Sequence, residues 1–514
     1  MKVFCIIKTI SFLKFEQVYF RILRKLFKPV LKKNKAPDKI TLKGQAPTIR
    51  RPKILIDNKF CFNNIIDSFN NWNDLSNGLS WAYSLNCMDW LEQNEIKTKD
   101  CTYWIDSFIN NEGSNIIGLD PYPTAIRCMN WMKFFIFHPE LATEKRLDSL
   151  YSQLIMLSKN LERHILANHI MEDVITLYVG AYIFNDKKLN HKATKFLKRE
   201  LKRQILPDGA HFEQSPTYHC VMTERLLDCI NLTSDKQSNT FDMEMNQLIC
   251  NKAKQMIGHL KKIVWNDLTI PMLNDSHYGS EPEPSLIFDY ASRLKIDNPP
   301  INMKDCGYRK MKSDRMELIL DIGNITATYQ PGHSHADTFS YEMRIDCKPF
   351  IVDTGCSTYD KNKRRDYERG TFAHNTVIFG NKNSSEVWGG FRIASRAFVA
   401  INTENENYIE ASHNGYGKRN IHTRSFEISN NIFTIKDHCT GKKETLSIIH
   451  FSPDTKIISS DNVQITTEKA TIKFKGALSI SIIDTEVSVE FNKLQQSKTA
   501  VISFRKDLVQ TIVI

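Results

Sequence analysis

The feature that most constrains this chain is a change of hydrophobic period near residues 300–312. From about residue 60 up to that point, apolar residues recur at three- and four-residue spacings. They do so in SWAYSLNCMDWLEQ (80–93), AIRCMNWMKFFIF (125–137), the long stretch 147–184 and HCVMTERLLDCINL (219–232). That spacing gives each segment one apolar helical stripe. Beyond it the period is two, as in MELILDIGNITATY (316–329), RSFEISNNIFTIKDH (424–438), ETLSIIHFSP (444–453) and TAVISF (499–504), with turn residues between the runs. Many successive helices rich in aromatics predict a helical array or toroid rather than a small bundle. Many short alternating strands in series predict an antiparallel sandwich. The expected architecture is therefore an N-terminal α/α toroid over residues 54–305 and a C-terminal antiparallel β-sandwich over 306–514.

Residues 1–53 stand apart. They carry 15 of the chain's 69 Lys+Arg and two of its 58 Asp+Glu, a net of +13, which leaves −2 on the rest of a chain whose total is +11. The basic surplus thus belongs to the N-terminus and not to the body, and no basic body surface for nucleic acid is expected. Residues 32–53 are polar and proline-punctuated and read as a linker. Before them, Phe12, Phe15, Tyr19, Ile22, Leu23 and Leu26 gather on one side of a helix, while Lys14, Arg21, Lys25 and Lys28 gather elsewhere. Such a helix either lies on an anionic membrane or packs on its own domain with a solvated basic face. Lys8 and Lys14 interrupt the apolar run expected of a signal peptide, and no stretch is long enough to cross a bilayer. Twelve scattered Cys contain no CxxC pair, so a zinc ribbon or thioredoxin-like motif is excluded and buried thiols are expected.

Four clusters carry chemistry. Asn168-His169 lies in the most apolar helical stretch. Residues 207–219 (PDGAHFEQSPTYH) form a turn crowded with His, Glu and Tyr that leads into a helix. In Pro331–Asp337 (PGHSHAD), His333 and His335 share a face of an extended segment and suit either metal ligation or base catalysis. Asp353 in VDTG and His374 in AHNT, together with His335, compose a two-His, one-carboxylate set suited to zinc.

At these residues the sequence resembles the heparinase II/III family of polysaccharide lyases. The blocks that carry the resemblance are YPTAIRCMNW (122–131), ANHIMED (167–173), DGAHFEQSPTYH (208–219), PGHSHADTFSYEM (331–343), FIVDTG (350–355) and RDYERGTFAHNTVIFG (365–380). The chain departs from the family pattern at Ala210-His211 and after His169, where no alanine-rich run follows. The resemblance implies a toroid and a sandwich with the active site between them, and elimination chemistry on uronate-containing polysaccharides. It implies that Tyr218 is the catalytic tyrosine, that Asn168 and His169 handle the uronate carboxylate, and that His333 transfers a proton. It further implies a structural zinc at His335, Asp353 and His374, with no organic cofactor.

Four more residues, Arg127, His219, Arg365 and Arg369, are candidates to hold acidic groups of the substrate. The expected partners are an acidic polysaccharide and, through the N-terminal helix, a membrane surface. The resemblance points to the cell envelope or periplasm, whereas the N-terminus suggests the cytoplasmic face of a membrane. Two other readings remain open. One is a glycoside hydrolase on a similar toroid, with Glu213 and Asp275 as its carboxylates. The other is a non-catalytic or modifying component of cell-surface polysaccharide synthesis.

Overall fold

A computed structural model describes residues 2–27, 29–236, 238–279, 282–297 and 299–514; Lys28 of the predicted basic face lies outside the described residues. The helical part comprises α1 (Lys2–Phe12), α2 (Phe15–Leu26), α3 (Gly78–Cys87), α4 (Thr98–Asn111), α5 (Pro121–Phe137), α6 (Glu144–Lys159), α7 (Ala167–Ile183), α8 (Lys187–Gln204), α9 (Pro216–Leu232), α10 (Met243–Ile263) and α11 (Pro284–Arg293). Among α3–α11, α7 packs against α5, α8 and α9, and α9 packs against α10. Nearly every residue of α7 is buried. That explains its apolar sequence on all sides: it is an inner helix, not a surface one.

Inside this ring the polar residues pair with each other. Lys133 of α5 meets Asp228 of α9 at 2.5 Å, Arg225 of α9 meets Glu172 of α7 at 2.9 Å, and Arg51 meets Glu224 at 2.7 Å. Burial would raise the pKa of Glu224, yet Arg51, Lys133 and Arg225 hold it down to about 2. Buried charges persist only when paired in this way.

Residues 54–305 are not wholly helical as the periodicity suggested. Leu55–Ile56, Lys59–Phe62 and Ile65–Ser68 form a three-stranded antiparallel sheet. Two-residue turns join the strands, Asp57-Asn58 (φ 47° and 62°) and Asn63-Asn64 (φ 52° and 63°). Asx residues accept that left-handed geometry, which matches the twist of a hairpin. Phe60 and Phe62 bury their rings against Trp90, Trp104 and Trp81.

The first strand of the β part begins at Tyr308. A four-stranded meander (Tyr308–Lys312, Met316–Asp321, Tyr341–Ile345, Lys348–Ile351) faces a ten-stranded antiparallel sheet. The long strands Thr471–Glu490 and Lys493–Val513 form the spine of the large sheet, paired through Ile480↔Ile502 and Ile472↔Ile512. Leu318, Leu320, Tyr341 and Met343 of the meander share one core with Phe426, Phe433, Ile435, Ile502 and Phe504 of the large sheet. The alternation read from the sequence is this inner face.

The loop Pro207–Ser215 fastens the two parts together. Asp208 Oδ2 accepts from the backbone N–H of Lys304 and Cys306, and Gln214 Nε2 donates to the carbonyls of Cys306 and Asn324. Gly209 sits in this loop at φ 79°, and a Cβ there would lie 2.1 Å from the carbonyl oxygen of Gln255. Both facts require glycine. Gly209→Ala should therefore cost about 2 kcal/mol or more of folding stability, read as a lower urea midpoint with an unchanged slope.

Candidate active site

The loop's C-terminal end positions the tyrosine. Ser215 caps α9, its hydroxyl accepting from the N–H of Tyr218 at 3.3 Å, and Pro216 occupies the first helical position. This is a standard stable start for a helix, and it fixes Tyr218 in the first turn. Its ring packs on that of His333 at 3.9 Å between centroids, and its hydroxyl lies 3.2 Å from the hydroxyl of Tyr359. Burial, then the neighbouring Tyr218 and Asp275, push the Tyr359 phenol well above its ordinary pKa. Tyr359 therefore stays protonated opposite Tyr218, and either hydroxyl can donate to the other.

Asn168 and His169 begin α7. Two consecutive non-glycine residues precede Asn168 in left-handed backbone, Leu166 (φ 67°) and Ala167 (φ 58°), both buried. Such strain persists only where surrounding bonds over-determine it; here Gln204 Nε2 holds the carbonyl of Ala167 at 2.8 Å. Glu213 links the two halves of the site. Its Oε1 accepts from the N–H of Asn168 at 2.8 Å, and its Oε2 lies 3.3 Å from Nε2 of His333. His169 Nδ1 contacts Glu162 Oε2 at 2.6 Å, and its ring lies against Tyr122. Burial opposes charge on His169, but Glu162, with Glu213 and Glu172 behind it, outweighs burial and raises its pKa. The four residues predicted as catalytic are thus drawn around one seam between α7, α9 and the β part.

Asp275 organises the opposite wall. Its Oδ2 accepts from His333 Nδ1 at 2.8 Å and Arg365 Nη2 at 2.7 Å. Its Oδ1 accepts from His335 Nε2 at 2.7 Å and from Arg365 Nη1. Burial would raise its pKa, yet Arg365 and the two histidines hold it well below the usual carboxylate range.

The residues expected to grip substrate are engaged elsewhere. Arg127 is fully buried, with Nε and Nη2 on Gln153, Nη1 on the carbonyl of Asn86, and its guanidinium 3.9 Å over the Phe108 ring. His219 is buried with Nδ1 accepting from the N–H of His211 and Nε2 against the carbonyl of Met256. Arg365 is committed to Asp275. Arg369 donates to the carbonyls of Ser334 and Pro331, shaping the loop that carries His333. All four correct the expectation for one reason: each polar group is spent on a backbone or side-chain partner inside the protein.

The predicted metal ligands are neighbours, but their donor atoms do not all draw within 4.8 Å of one another. Among the described residues only Asp208, His259 and Cys306 do so, and Asp208 there is already satisfied by backbone N–H groups. His374 Nδ1 contacts Asp353 Oδ2 at 2.7 Å, and the His335 and His374 rings lie 5.3 Å apart. Burial pushes the pKa of His335 down to about 4, so Nε2–H donates to Asp275 and Nδ1 keeps its lone pair. That Nδ1, Nε2 of His374 and Oδ2 of Asp337 are buried without a hydrogen-bond partner. Atoms of this type suit a cation in kind, although these three too do not all lie within 4.8 Å of one another, and each histidine's other nitrogen is oriented by a carboxylate.

Sequence reasoning missed Tyr359, Glu162 and Asp337 as members of the site. Asp337 was within reach, two residues after His335 in the same motif. Tyr359 and Glu162 stand in no pattern of their own.

A helical ring joined to a two-sheet sandwich, with a Tyr–His site at the seam, defines the architectural class. The chain matches "Heparinase II/III N-terminus" over residues 131–292 and "Heparinase II/III-like, C-terminal" over 295–514. It belongs to the heparinase II/III-like family. A heparin-sulfate lyase of Bacteroides stercoris is 21% identical over 326 residues, 57% of this chain and 47% of that protein, so the chain spans about half the length of this relative. A crystal structure of heparinase III aligns with TM-score 0.66 at 14% identity, covering 87% of this chain and 79% of that one. A mutant of heparan sulfate lyase HepC from Pedobacter heparinus aligns with TM-score 0.61 at 17% identity, covering 97% and 87%. These structural likenesses establish a shared fold.

Asp275→Asn tests the organising role of the carboxylate. It keeps the shape but leaves Arg365 as a buried, uncompensated charge, so a loss of about 3–5 kcal/mol is expected in chemical denaturation. The depressed folded-state pKa means that Asp275 stabilises fully above its unfolded value of about 3.9. That contribution disappears only as pH falls through the much lower folded value, and the variant should lack this acid-side slope.

Proposed function

We propose that the chain is a polysaccharide lyase that cleaves a uronate-containing acidic polysaccharide by β-elimination. The observation that carries this is the Tyr218–His333 pair, its tilted rings 3.9 Å apart between centroids and linked through Glu213 to the start of α7. A uronate has a weakly acidic C–H next to its carboxylate. A base removes that proton, the C–H electrons pass into the carboxylate, and charge builds there. They then return to form a C=C bond as the glycosidic oxygen on the β carbon leaves and takes a proton.

The residues divide these tasks. The Asn168 amide and a charged His169 offer hydrogen bonds to the carboxylate, where stabilisation grows with developing charge. Tyr218 exchanges the protons, with Tyr359 donating to its oxygen when that oxygen is anionic. His333, held on both sides by Asp275 and Glu213, is the complementary proton-transfer group. With Arg127, His219, Arg365 and Arg369 occupied internally, carboxylate recognition falls to Asn168 and His169. The hydrolase reading finds less support, since Asp275 is buried with both oxygens taken and cannot face a glycosidic bond.

A structural zinc is part of the proposal, held by His335 and His374 with the carboxylates of Asp337 and Asp353. Such a cation would neutralise a buried cluster and brace the wall behind His333. The location that accompanies the reading is the cell envelope, at a membrane surface.

Three outcomes are expected. Tyr218→Phe should reduce formation of the ultraviolet-absorbing unsaturated uronate by about 10²–10⁴-fold, with the circular dichroism spectrum unchanged. If no acidic polymer yields that product with the unaltered chain, the non-catalytic role in polysaccharide synthesis is the better reading. Glu162→Gln removes what raises the pKa of His169, so the imidazolium is lost at lower pH; KM at neutral pH should rise about tenfold, and its upward limb should shift to lower pH. Elemental analysis of the purified chain should find about one zinc per molecule, lost in His374→Ala; a folded, active, zinc-free chain overturns the metal assignment.

A further inference from the structure

The N-terminal helices bind the body with the wrong face for an ordinary surface helix. A helix that packs on its own domain buries its apolar stripe and leaves its polar side in water. Here α2 does the reverse. Gln17 is fully buried and donates to the carbonyls of Ile165 at 3.0 Å and Tyr329 at 3.2 Å. Glu16 pairs with Arg163 at 2.5 Å and Arg199 at 3.2 Å, and Arg24 pairs with Asp120 at 3.0 Å. The apolar stripe points outward, with Phe15 82%, Ile22 59% and Leu26 69% exposed. The helix α1 continues this surface with Val3, Phe4 and Ile7, each more than half exposed.

The attachment itself is specific. On the β side, Lys8 donates to Ser395 at 2.7 Å, Trp388 Nε1 donates to Thr9 at 3.1 Å, and Arg396 lies 3.7 Å over the Phe12 ring. On the toroid side α2 holds Arg163, Asp120 and the carbonyl of Ile165. The pair therefore straddles the seam: α1 sits on the sandwich, α2 sits on the ring, and Gln17 bonds four residues before His169 and four before His333. A polar inner face that makes this many directed bonds is a mounting, and the surface it mounts is the outer one.

The chemistry of that outer surface selects its partner. Exposed apolar side chains stand beside exposed Arg21 and Lys25, within a stretch, residues 2–26, that carries six Lys+Arg and one acid, a net of +5. Beside α2, a cavity of about 510 Å³ is lined by aromatic and cationic side chains together, among them Phe27, Phe196, Arg163 and Lys192. Aromatic and aliphatic groups interleaved with cations complement the headgroup and upper acyl region of an anionic bilayer. No helix among the described residues is long and apolar enough to cross a membrane, so the contact would lie in the interface plane. We propose that α1 and α2 form a peripheral docking element for an anionic lipid surface, mounted across the seam so that docking orients the seam relative to the bilayer.

The test uses the full chain and large vesicles of phosphatidylcholine, with or without phosphatidylglycerol, followed by co-sedimentation. The chain should bind the anionic vesicles about tenfold or more tightly than the neutral ones, with binding weakened by salt. A Phe15→Glu, Ile22→Glu, Leu26→Glu triple variant should lose about tenfold or more of that binding. Because these side chains are exposed, it should keep its melting temperature and its activity on soluble polymer. No binding by the unaltered chain, or equal binding by the variant, overturns the proposal. Self-association in the absence of vesicles, abolished by the same substitutions, also overturns it and assigns the face to a second copy. Vesicle binding does not depend on turnover, so its failure and the failure of the lyase reading are separate results.

Discussion

The site depends on one buried carboxylate. Asp275 comes from the loop that follows the toroid's helix α10, and its three partners all come from the β part: His333 and His335 from one loop, Arg365 from a short helix. A charge placed there is costly unless it is compensated, and the bidentate arginine with two ring nitrogens supplies that compensation. The geometry follows from the energetics. Asp275 cannot be satisfied unless the β loop and the toroid loop close on each other, and closing them sets the His333 ring against Tyr218. The Asp208 and Gln214 bonds from the tyrosine loop to Cys306 and Asn324 repeat the same logic a short distance away. The seam that carries Tyr218 and His333 is thus also a mechanical joint between the two parts.

Much of this was legible in the sequence because it follows from periodicity. The change of period at 300–312 reflects the passage from helices to strands, and the most apolar helical stretch contains the almost wholly buried α7. The three-stranded sheet at 55–68 escaped notice because its strands are only two to four residues long. Its real signal was the Asp57-Asn58 and Asn63-Asn64 pairs, whose left-handed backbone makes two tight turns. Tyr218, His333, Asn168 and His169 were legible as ordered motifs, but the groups that tune them were not. Glu162 reaches His169 from seven residues away across a helix start, and Tyr359 reaches Tyr218 across 141 residues. Convergence at that separation leaves no local pattern.

The misassigned arginines show a second limit. Arg127, Arg365 and Arg369 stand in motif blocks near the candidate site residues, which is also where a structure needs strong internal donors. A guanidinium has five N–H groups in a rigid fork and stays charged almost anywhere. It therefore serves equally well to clamp a substrate carboxylate or to brace a loop. Only burial and the identity of the acceptors decide between these uses. Here the acceptors are Asn86, Ser334 and Pro331 carbonyls, Gln153 and Asp275, all protein groups.

The same accounting applied to charge separates two kinds of electrostatics in one chain. The body of 461 residues beyond the N-terminus carries a net charge of −2, and its buried cations are paired with Glu172, Glu224, Asp228, Asp275 and Asp437. Such a body does not attract a polyanion over long range. On the proposed reading, acidic groups would be recognised at short range, through hydrogen bonds placed where water is excluded and the local dielectric is low. The helices α1 and α2 have the opposite character: Arg21 and Lys25 are exposed on them, a diffuse charge whose reach is set by the ionic strength of the medium. Residues Gln17 and Arg24 join the two regimes, since the helix that displays the diffuse charge is bonded to the carbonyl of Ile165 and to Asp120, beside the start of α7.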